Sequence, residues 1–372
     1  DATMMTGVEG DFDFNVELGH DYTVTAEKDI NYLNGVSTFD LVLIRKHIIG
    51  VQLLNSPYKL IAADVNNSGT VTTFDMLALR KLILNVDTEF EGNTSWRFVE
   101  GSYQFPNPAN PWVESFPELA NINDIAEDAV ANFVAVKVGD VNGTAIPNNF
   151  VSADDRSNNA TFAFNVADQA VKAGETYTVD FTADMAGVAG YQFTLNYNNL
   201  DLVEVVEGVA TANNFGIFTE AGVITTSWEG EAAKDAVLFS LVFTAQTDAN
   251  LSELMTVSSN YTVAEAYKGA EVMNVALDFG NGVVDATNEL YQNTPNPFAG
   301  VTTVAFNLAE AGTASVTVSD VTGKVIKLVR GDYAAGMNTI QLDSKSWNTS
   351  GVLYYTLETA DFNATRKMII VK

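Results

Sequence analysis

Two spacings of apolar residues alternate along the chain. Over residues 41–49 and 76–84 the spacing is helical. Leu41, Ile44 and Ile48 share one face of "LVLIRKHII", and Met76, Leu79 and Ile83 share one face of "MLALRKLIL". Each segment carries an Arg-Lys pair towards its C-terminal end, where the helix macrodipole favours cations. Elsewhere the period is two. From about Thr161 to Gly280, "TFAFNV", "TYTVDFTA", "YQFTLNY", "VITTSW", "AVLFSLVFTA" and "VMNVALDFG" are separated by Gly and Asn. They predict a β-sandwich of roughly nine strands in one domain of about 120 residues. From Glu289 onward the same alternation predicts a second antiparallel sandwich, of about seven or eight strands. The opening "VEGDFDFNVELGHDYTVT" alternates like the last strands of a β domain, so Asp1 is expected to lie within a larger secreted chain.

Each helical segment follows the same polar sentence. Read as twelve-residue loops, the second copy places Asp64, Asn66, Ser68, Gly69, Thr70, Thr72 and Asp75 at positions 1, 3, 5, 6, 7, 9 and 12. A calcium loop sets its oxygens there: side chains at 1, 3, 5 and 12, a backbone carbonyl at 7, and often water at 9. Hard oxygen ligands on one short loop suit Ca²⁺, which relieves the repulsion between the carboxylates. The first copy places Asp29, Asn31, Leu33, Asn34, Gly35, Ser37 and Asp40 in the same register. Leu33 replaces an oxygen ligand and Asn34 takes the turn position, so this loop is expected to bind more weakly or to recruit a group from elsewhere. A third fragment, "VGDVNGTAIP", begins like another loop with Asp140, Asn142 and Thr144, then stops. Two readings stay open for it: a contribution of Asp140 and Asn142 to a calcium site, or an ordinary Asn-Gly turn.

Bulk properties narrow the chemistry. A length of 372 residues implies several domains, and the net charge of −28 disfavours nucleic acid and anionic lipid as partners. Residues 289 to 372 hold seven acids and seven bases, so the whole negative excess lies before Glu289 and marks a module boundary. The absence of cysteine removes disulfides and thiolate chemistry, and no stretch is apolar enough to predict a transmembrane segment. With only two histidines, His20 and His47, the sequence shows no nucleophile–base grouping and no HExxH. An enzyme is not expected within this segment.

Three resemblances follow from these motifs. Paired loop–helix units ending in Asp resemble type I dockerin repeats. Thr38-Phe39 and Thr73-Phe74 stand where dockerins carry their partner-recognition pair, which implies a cohesin-like domain, of this chain or another, as partner. The middle strings "AGETYTVDFTADMAGVAGYQFTLNYN", "ITTSWEG" and "LFSLVFTA" look like a cohesin or the related carbohydrate-binding-module sandwich. Trp228 there is either a sugar platform or, more ordinarily, a core aromatic. The last segment resembles the type A C-terminal sorting domain of the Bacteroidetes type IX secretion system. The matching pieces include Pro295, Asn296, Pro297 and Phe298, Asp320 with Gly323-Lys324, Gly351 with Tyr354-Tyr355, and the terminal run containing Lys367 and Lys372. That resemblance implies export across the outer membrane, recognition by the secretion machinery, and removal by a sortase between about Gly282 and Asn288.

The expected fold is mostly β with a small α calcium-binding module. It comprises a dockerin-like paired loop–helix unit, a cohesin-like or jelly-roll β-sandwich, and an Ig-like β-sandwich sorting domain. The expected boundaries are 1–27 for the end of a preceding β domain, 28–146 for the dockerin-like module with an insertion, 147–158 for a linker, 159–284 for the cohesin-like sandwich and 285–372 for the sorting domain. The expected role is that of a non-catalytic, Ca²⁺-stabilised surface adhesin, fibre or matrix protein, with docking within or between chains. The alternatives are the accessory end of a large secreted polysaccharide hydrolase, or a scaffold that gathers dockerin-bearing partners.

Overall fold

The computed structural model describes the chain apart from residues 1, 8–9, 148–159, 234–235, 270, 281–287, 294–295, 309–311, 334–335, 346, 348, 361 and 372, and apart from the side chains of 289, 307, 336 and 337. The chain divides into two compact units, Asp1–Gly280 and Asn281–Lys372.

The first unit opens with a small helical module. Helix α1 spans Thr38–Ile48, α2 Pro57–Ala63 and α3 Thr73–Ile83. Ser37 and Thr72 cap α1 and α3, and each cap is reciprocated by the aspartate three residues on, Asp40 or Asp75. The helical periodicity sets the packing. Leu41, Ile44, Met76, Leu79 and Ile83 are buried in one core with Leu60 and Ile61 of α2, while Ile48 packs at its edge.

The segment between the helices and residue 140 is folded onto this core. Strand β1 (Tyr22–Thr25) pairs antiparallel with β3 (Leu119–Ile122), and β2 (Trp96–Glu100) pairs antiparallel with β4 (Phe133–Lys137). Tyr22–Thr25 therefore lies on the insertion, and Val99 and Val136 enter the helical core. Strand β4 then delivers Val138 and Val141 to the same core, where the Gly139 N–H donates to the Ala62 carbonyl at 2.8 Å.

The sandwich follows. Its strands are β5 (Thr161–Asn165), β6 (Ala170–Val171), β7 (Thr176–Thr182), β8 (Gly190–Tyr197), β9 (Leu200–Glu207), β10 (Phe215–Phe218), β11 (Val223–Glu229), β12 (Val237–Ala245), β13 (Ala249–Asn250), β14 (Met255–Ser258), β15 (Glu265–Lys268) and β16 (Glu271–Asp278). Hydrogen bonding runs β10-β11-β8-β15-β16-β5-β7-β12-β9, with β14 also on β8 and a separate β6–β13 pair. Strand β5 is parallel to β16 and meets β7 only at Asn165↔Thr182, the corner where one layer passes into the other. Aromatic rings fill the space between layers: Phe181 stacks on Phe239 with centroids 4.5 Å apart, and Phe164 tilts against Phe193 at 4.9 Å. Trp228 stacks on buried Tyr191 at 5.4 Å and is 5% exposed, which makes it a core residue and not a sugar platform.

The second unit is also a sandwich. Strands β17 (Glu289–Leu290), β18 (Val301–Leu308) and β21 (Gly336–Asp343) form one sheet. Strands β19 (Gly312–Asp320), β20 (Val325–Tyr333), β22 (Gly351–Glu358) and β23 (Asn363–Ile370) form the other. Phe298, Phe306, Val318, Tyr355 and Met368 are buried between them.

Candidate calcium loops and docking face

The second polar sentence forms a closed loop between α2 and α3. Asp64, at the end of α2, turns its carboxylate inward. Its Oδ1 accepts from the Ser68 N–H and its Oδ2 from the Gly69 N–H, each at 2.8 Å. Asn66 Oδ1 accepts from the Ser68 N–H at 3.1 Å, and Ser68 Oγ lies 3.2 Å from the Thr70 carbonyl oxygen. At the far end, Asp75 Oδ1 accepts from the Asn66 N–H at 3.2 Å and Oδ2 from the Thr72 N–H at 2.7 Å. Asp64 and Asp75 are both buried. Burial, with the Asp75 charge adding to it, pushes the Asp64 carboxyl above its usual range. The donor set is all oxygen and the loop follows calcium-loop spacing, so the residues fit Ca²⁺. Among the described residues no group of three or more His, Cys, Asp or Glu converges. Each loop thus offers two carboxylates and otherwise neutral oxygens.

The first polar sentence divides. Its later half repeats the pattern: Asp40 Oδ2 accepts from the Ser37 N–H at 2.9 Å, and Gly35 precedes it with its carbonyl turned towards the loop's partner. Its earlier half goes elsewhere. Asp29 Oδ1 accepts from the Ser95 N–H at 2.7 Å. Burial alone would raise the Asp29 carboxyl, but hydrogen bonds from Tyr32 and Ser95 hold it below its usual range. Asn31 adopts φ 55° in a turn and Leu33 is partly exposed. The group facing Asp40 is the third fragment. Asp40 Oδ1 accepts from the Val141 N–H at 2.9 Å and the Asn142 N–H at 3.2 Å. Burial and the neighbouring Asp140 charge, not Asp29, push the Asp40 carboxyl up to about 7. Asp29, expected from spacing to share a site with Asp40, bonds Ser95 of the insertion, while the backbone that follows Asp140 bonds Asp40.

The recognition pairs differ in their surroundings. Thr38 is fully buried against the sandwich, its N–H donating to Gln192 Oε1 at 2.6 Å and its Oγ1 lying 2.7 Å from Ser227 Oγ. The Phe39 ring lies 5.5 Å from that of Tyr267. The C-terminal end of α3 makes a second set of contacts. Thr262 Oγ1 donates to the Ile83 carbonyl at 2.6 Å, Thr225 Oγ1 to the Leu84 carbonyl at 2.7 Å, and Asn85 Nδ2 to the Tyr261 carbonyl at 2.9 Å. Arg80 pairs with Glu229, both largely shielded from solvent. Gly190 admits α1 to the sheet, because a Cβ there would lie 3.1 Å from Thr38 Cγ2 and 2.9 Å from the Trp228 carbonyl oxygen. Thr73 and Phe74, the equivalent pair, stay outside, with Phe74 72% exposed. The sandwich side of this interface was not legible in the sequence. Its signal is a strand face of Thr, Ser and Gln (Gln192, Thr194, Thr225, Ser227) that is buried although it points away from the sandwich core.

In the second unit, Asn296, Phe298 and Gly351 gather beside the last strand, while Asp320 and Lys324 close the turn between β19 and β20. Asn296 Oδ1 accepts from the Ile369 N–H at 2.8 Å, and the buried Phe298 exchanges backbone bonds with Ile369 and Val371. Gly351 opens β22 opposite Ile370, and the Lys367 carbonyl accepts from Gln292 Nε2 at 2.8 Å. Pro297 follows Asn296 through a cis bond. Pro295, Lys372 and residues 282–287 of the expected cleavage stretch lie outside the described residues.

Comparison with known proteins agrees with two of the three modules directly. Residues 27–84 match the family model of the dockerin type I domain, and residues 294–371 that of the secretion system C-terminal sorting domain. Among solved structures, a non-cellulosomal cohesin from the archaeon Archaeoglobus fulgidus is similar at 18% identity and TM-score 0.24, covering 32% of this chain and 84% of that one. CaCohA2 from Clostridium acetobutylicum is similar at 13% identity and TM-score 0.21, covering 33% and 94%. No curated protein matches the chain.

The chain is thus a modular secreted protein with a type I dockerin domain, a β-sandwich and a C-terminal sorting domain. The sorting domain directs it through the type IX system to the cell surface or the extracellular space. No helix among the described residues is long and apolar enough to cross a membrane.

Proposed function

We propose that residues 28–280 act as a non-catalytic, Ca²⁺-stabilised structural unit of a surface or matrix protein. In this reading the dockerin-like module is spent on the cohesin-like sandwich of its own chain. One observation carries it: the Thr38 hydroxyl and N–H are both satisfied by sandwich side chains, while the carbonyls ending α3 are capped by Thr225 and Thr262. A helix C-terminus leaves its last carbonyls without intrahelical partners, so two sandwich hydroxyls aimed at them make a fitted interface and not an incidental one.

Calcium is the cofactor, held by Asp64, Asn66, Ser68, Thr70 and Asp75, with Thr72 at the position where water often intervenes. It stabilises a module whose core is small, because binding free energy adds to folding free energy. Partners are then the secretion machinery and sortase at the tail. Further copies of this chain enter only if docking is exchanged between molecules, which is the route to a homo-oligomer or fibre.

Calorimetric unfolding of the full chain tests this, with millimolar calcium and again with excess chelator. The expected result is one cooperative transition for the module and the sandwich with calcium, separating into two without it. Two transitions unaffected by calcium would refute the reading.

A further inference from the structure

We infer that the module's first calcium loop is split: Asp140, Asn142 and Thr144 supply its opening half, and the Gly35 carbonyl, Ser37 and Asp40 its closing half. This rests on the calcium reading of the second loop and extends it to a site whose halves lie about a hundred residues apart.

The two loops share the bonds that define the pattern, while Asp140 also accepts from the Gly143 N–H at 2.7 Å and Asp40 from the Val141 N–H at 2.9 Å. In the second, Asp64 accepts from the Ser68 and Gly69 amides; here Asp140 Oδ1 accepts from the Thr144 N–H at 3.1 Å and Oδ2 from the Ala145 N–H at 2.7 Å. Asn66 accepts from the Ser68 N–H, and Asn142 Oδ1 from the Thr144 N–H, each at 3.1 Å. Ser68 Oγ donates to the Thr70 carbonyl, and Thr144 Oγ1 to the Gly35 carbonyl at 3.0 Å, across the break in the chain. Asp75 accepts from the Asn66 amide, and Asp40 from the Asn142 amide. Every donor position of a calcium loop is thus filled by an oxygen-bearing group, and none comes from Asp29, Asn31 or Leu33.

Three features of the first copy follow from the split. Leu33 needs no oxygen, because Thr144 stands at position 5. Asn34 lies in a separate turn closed by the Asn34 N–H to the Asn31 carbonyl; its side chain donates to the Ile146 carbonyl at 2.7 Å and accepts from the Ile146 N–H at 3.0 Å, fastening the incoming segment. Gly35 must be glycine, because a Cβ at its φ of 74° would lie 2.6 Å from Ala145 Cα. Lys137, the buried cation nearby, gives its ammonium hydrogen bonds to the carbonyls of Tyr32 and Val138 and acts on Asp140 and Asp40 through its charge alone. An ion at this point would tie the end of the insertion to the first turn of α1. That turn also carries Thr38 onto the sandwich, so the ion supports the docking face.

The test counts ions bound per full-length chain by titration calorimetry. Wild type is expected to take up two Ca²⁺. The pair Asp140→Asn with Asn142→Ala should lose one, the pair Asp64→Asn with Asn66→Ala should lose the other, and Asp29→Asn should keep both. Loss of an ion from Asp29→Asn with both retained by the Asp140 pair would overturn the split site, as would a wild type binding one ion that only the Asp64 pair removes. A wild type binding none would instead overturn the calcium reading as a whole. Should a variant fail to fold, hydrogen exchange on the wild type decides. Calcium should slow exchange together at residues 35–40 and 140–146, and slowing confined to residues 64–75 would refute the proposal.

Discussion

Thr38 and Thr73 occupy the same place in two copies of one sentence, yet one is buried and the other exposed. Substitution should therefore separate them. Thr38→Ala removes the hydroxyl paired with Ser227 Oγ while keeping the N–H bond to Gln192, and is expected to cost about 1–2 kcal/mol, whereas Thr73→Ala should stay within about 0.5 kcal/mol. Chemical denaturation of the two variants checks this, and equal effects would argue against the docked arrangement. Arg80 sits in the same interface. Its loss leaves Glu229 shielded and unpaired, so Arg80→Ala should cost about 3 kcal/mol, while Arg80→Met with Glu229→Gln should recover most of it. Denaturation of the single and double variants measures the difference. The sequence made Thr38 and Thr73 visible as a repeated pair, but identical residues carry no information on which one docks. That choice is made by Gln192, Ser227 and Gly190, more than a hundred residues away.

At the scale of elements, helices α1 and α3 were legible because apolar spacing and terminal basic residues agree, and the caps Ser37 and Thr72 start each one three residues before the apolar run. The sandwich was legible as a layer of alternating strands, and Trp228 fell to the more ordinary of its two readings. Short elements were not legible. Helix α2, the β6–β13 pair and the insertion strands β2 to β4 are too short for periodicity to declare itself, and they exist because neighbouring strands and the helical core accept them. In the split reading proposed above, the opening half of the first loop escapes the sequence for a physical reason. Asp29 and Asn31 have the right residue types at the right spacing, but Ser95 and Tyr32 satisfy Asp29, while the better matched run at Asp140 arrives from the insertion. Two glycines at helix-flanking turns test how tightly that run is seated. Gly35 (φ 74°) and Gly50 (φ 73°) share a backbone conformation, but only Gly35 has a neighbour against it. Gly50→Ala should cost about 1 kcal/mol from conformation alone, and Gly35→Ala distinctly more. Comparison of their urea midpoints decides, and equal midpoints would mean that the crossing at Ala145 is loose.

On the scale of the whole molecule, charge and stability are divided between the two units. The negative excess lies before Glu289, where the carboxylate-rich loops are, and the tail is balanced. Calcium should therefore act on the first unit alone. At a free concentration of about 100 times Kd, each occupied site adds about 2.7 kcal/mol, so chelation should lower the melting of the helical module, part it from that of the sandwich, and leave that of the tail unchanged. Scanning calorimetry with and without chelator reads every transition in one sample.

The central claim is that the dockerin-like module seats on the sandwich of its own chain. The chain contains no cysteine, so an engineered pair forms without competition from native thiols. Thr38→Cys with Ser227→Cys replaces two hydroxyl oxygens that lie 2.7 Å apart. Mild oxidation of the full chain in calcium should give a monomeric disulfide, seen as a reduction-sensitive gel shift without change of mass class. Disulfide dimers in place of that monomer, or no disulfide at all, would contradict docking within the chain.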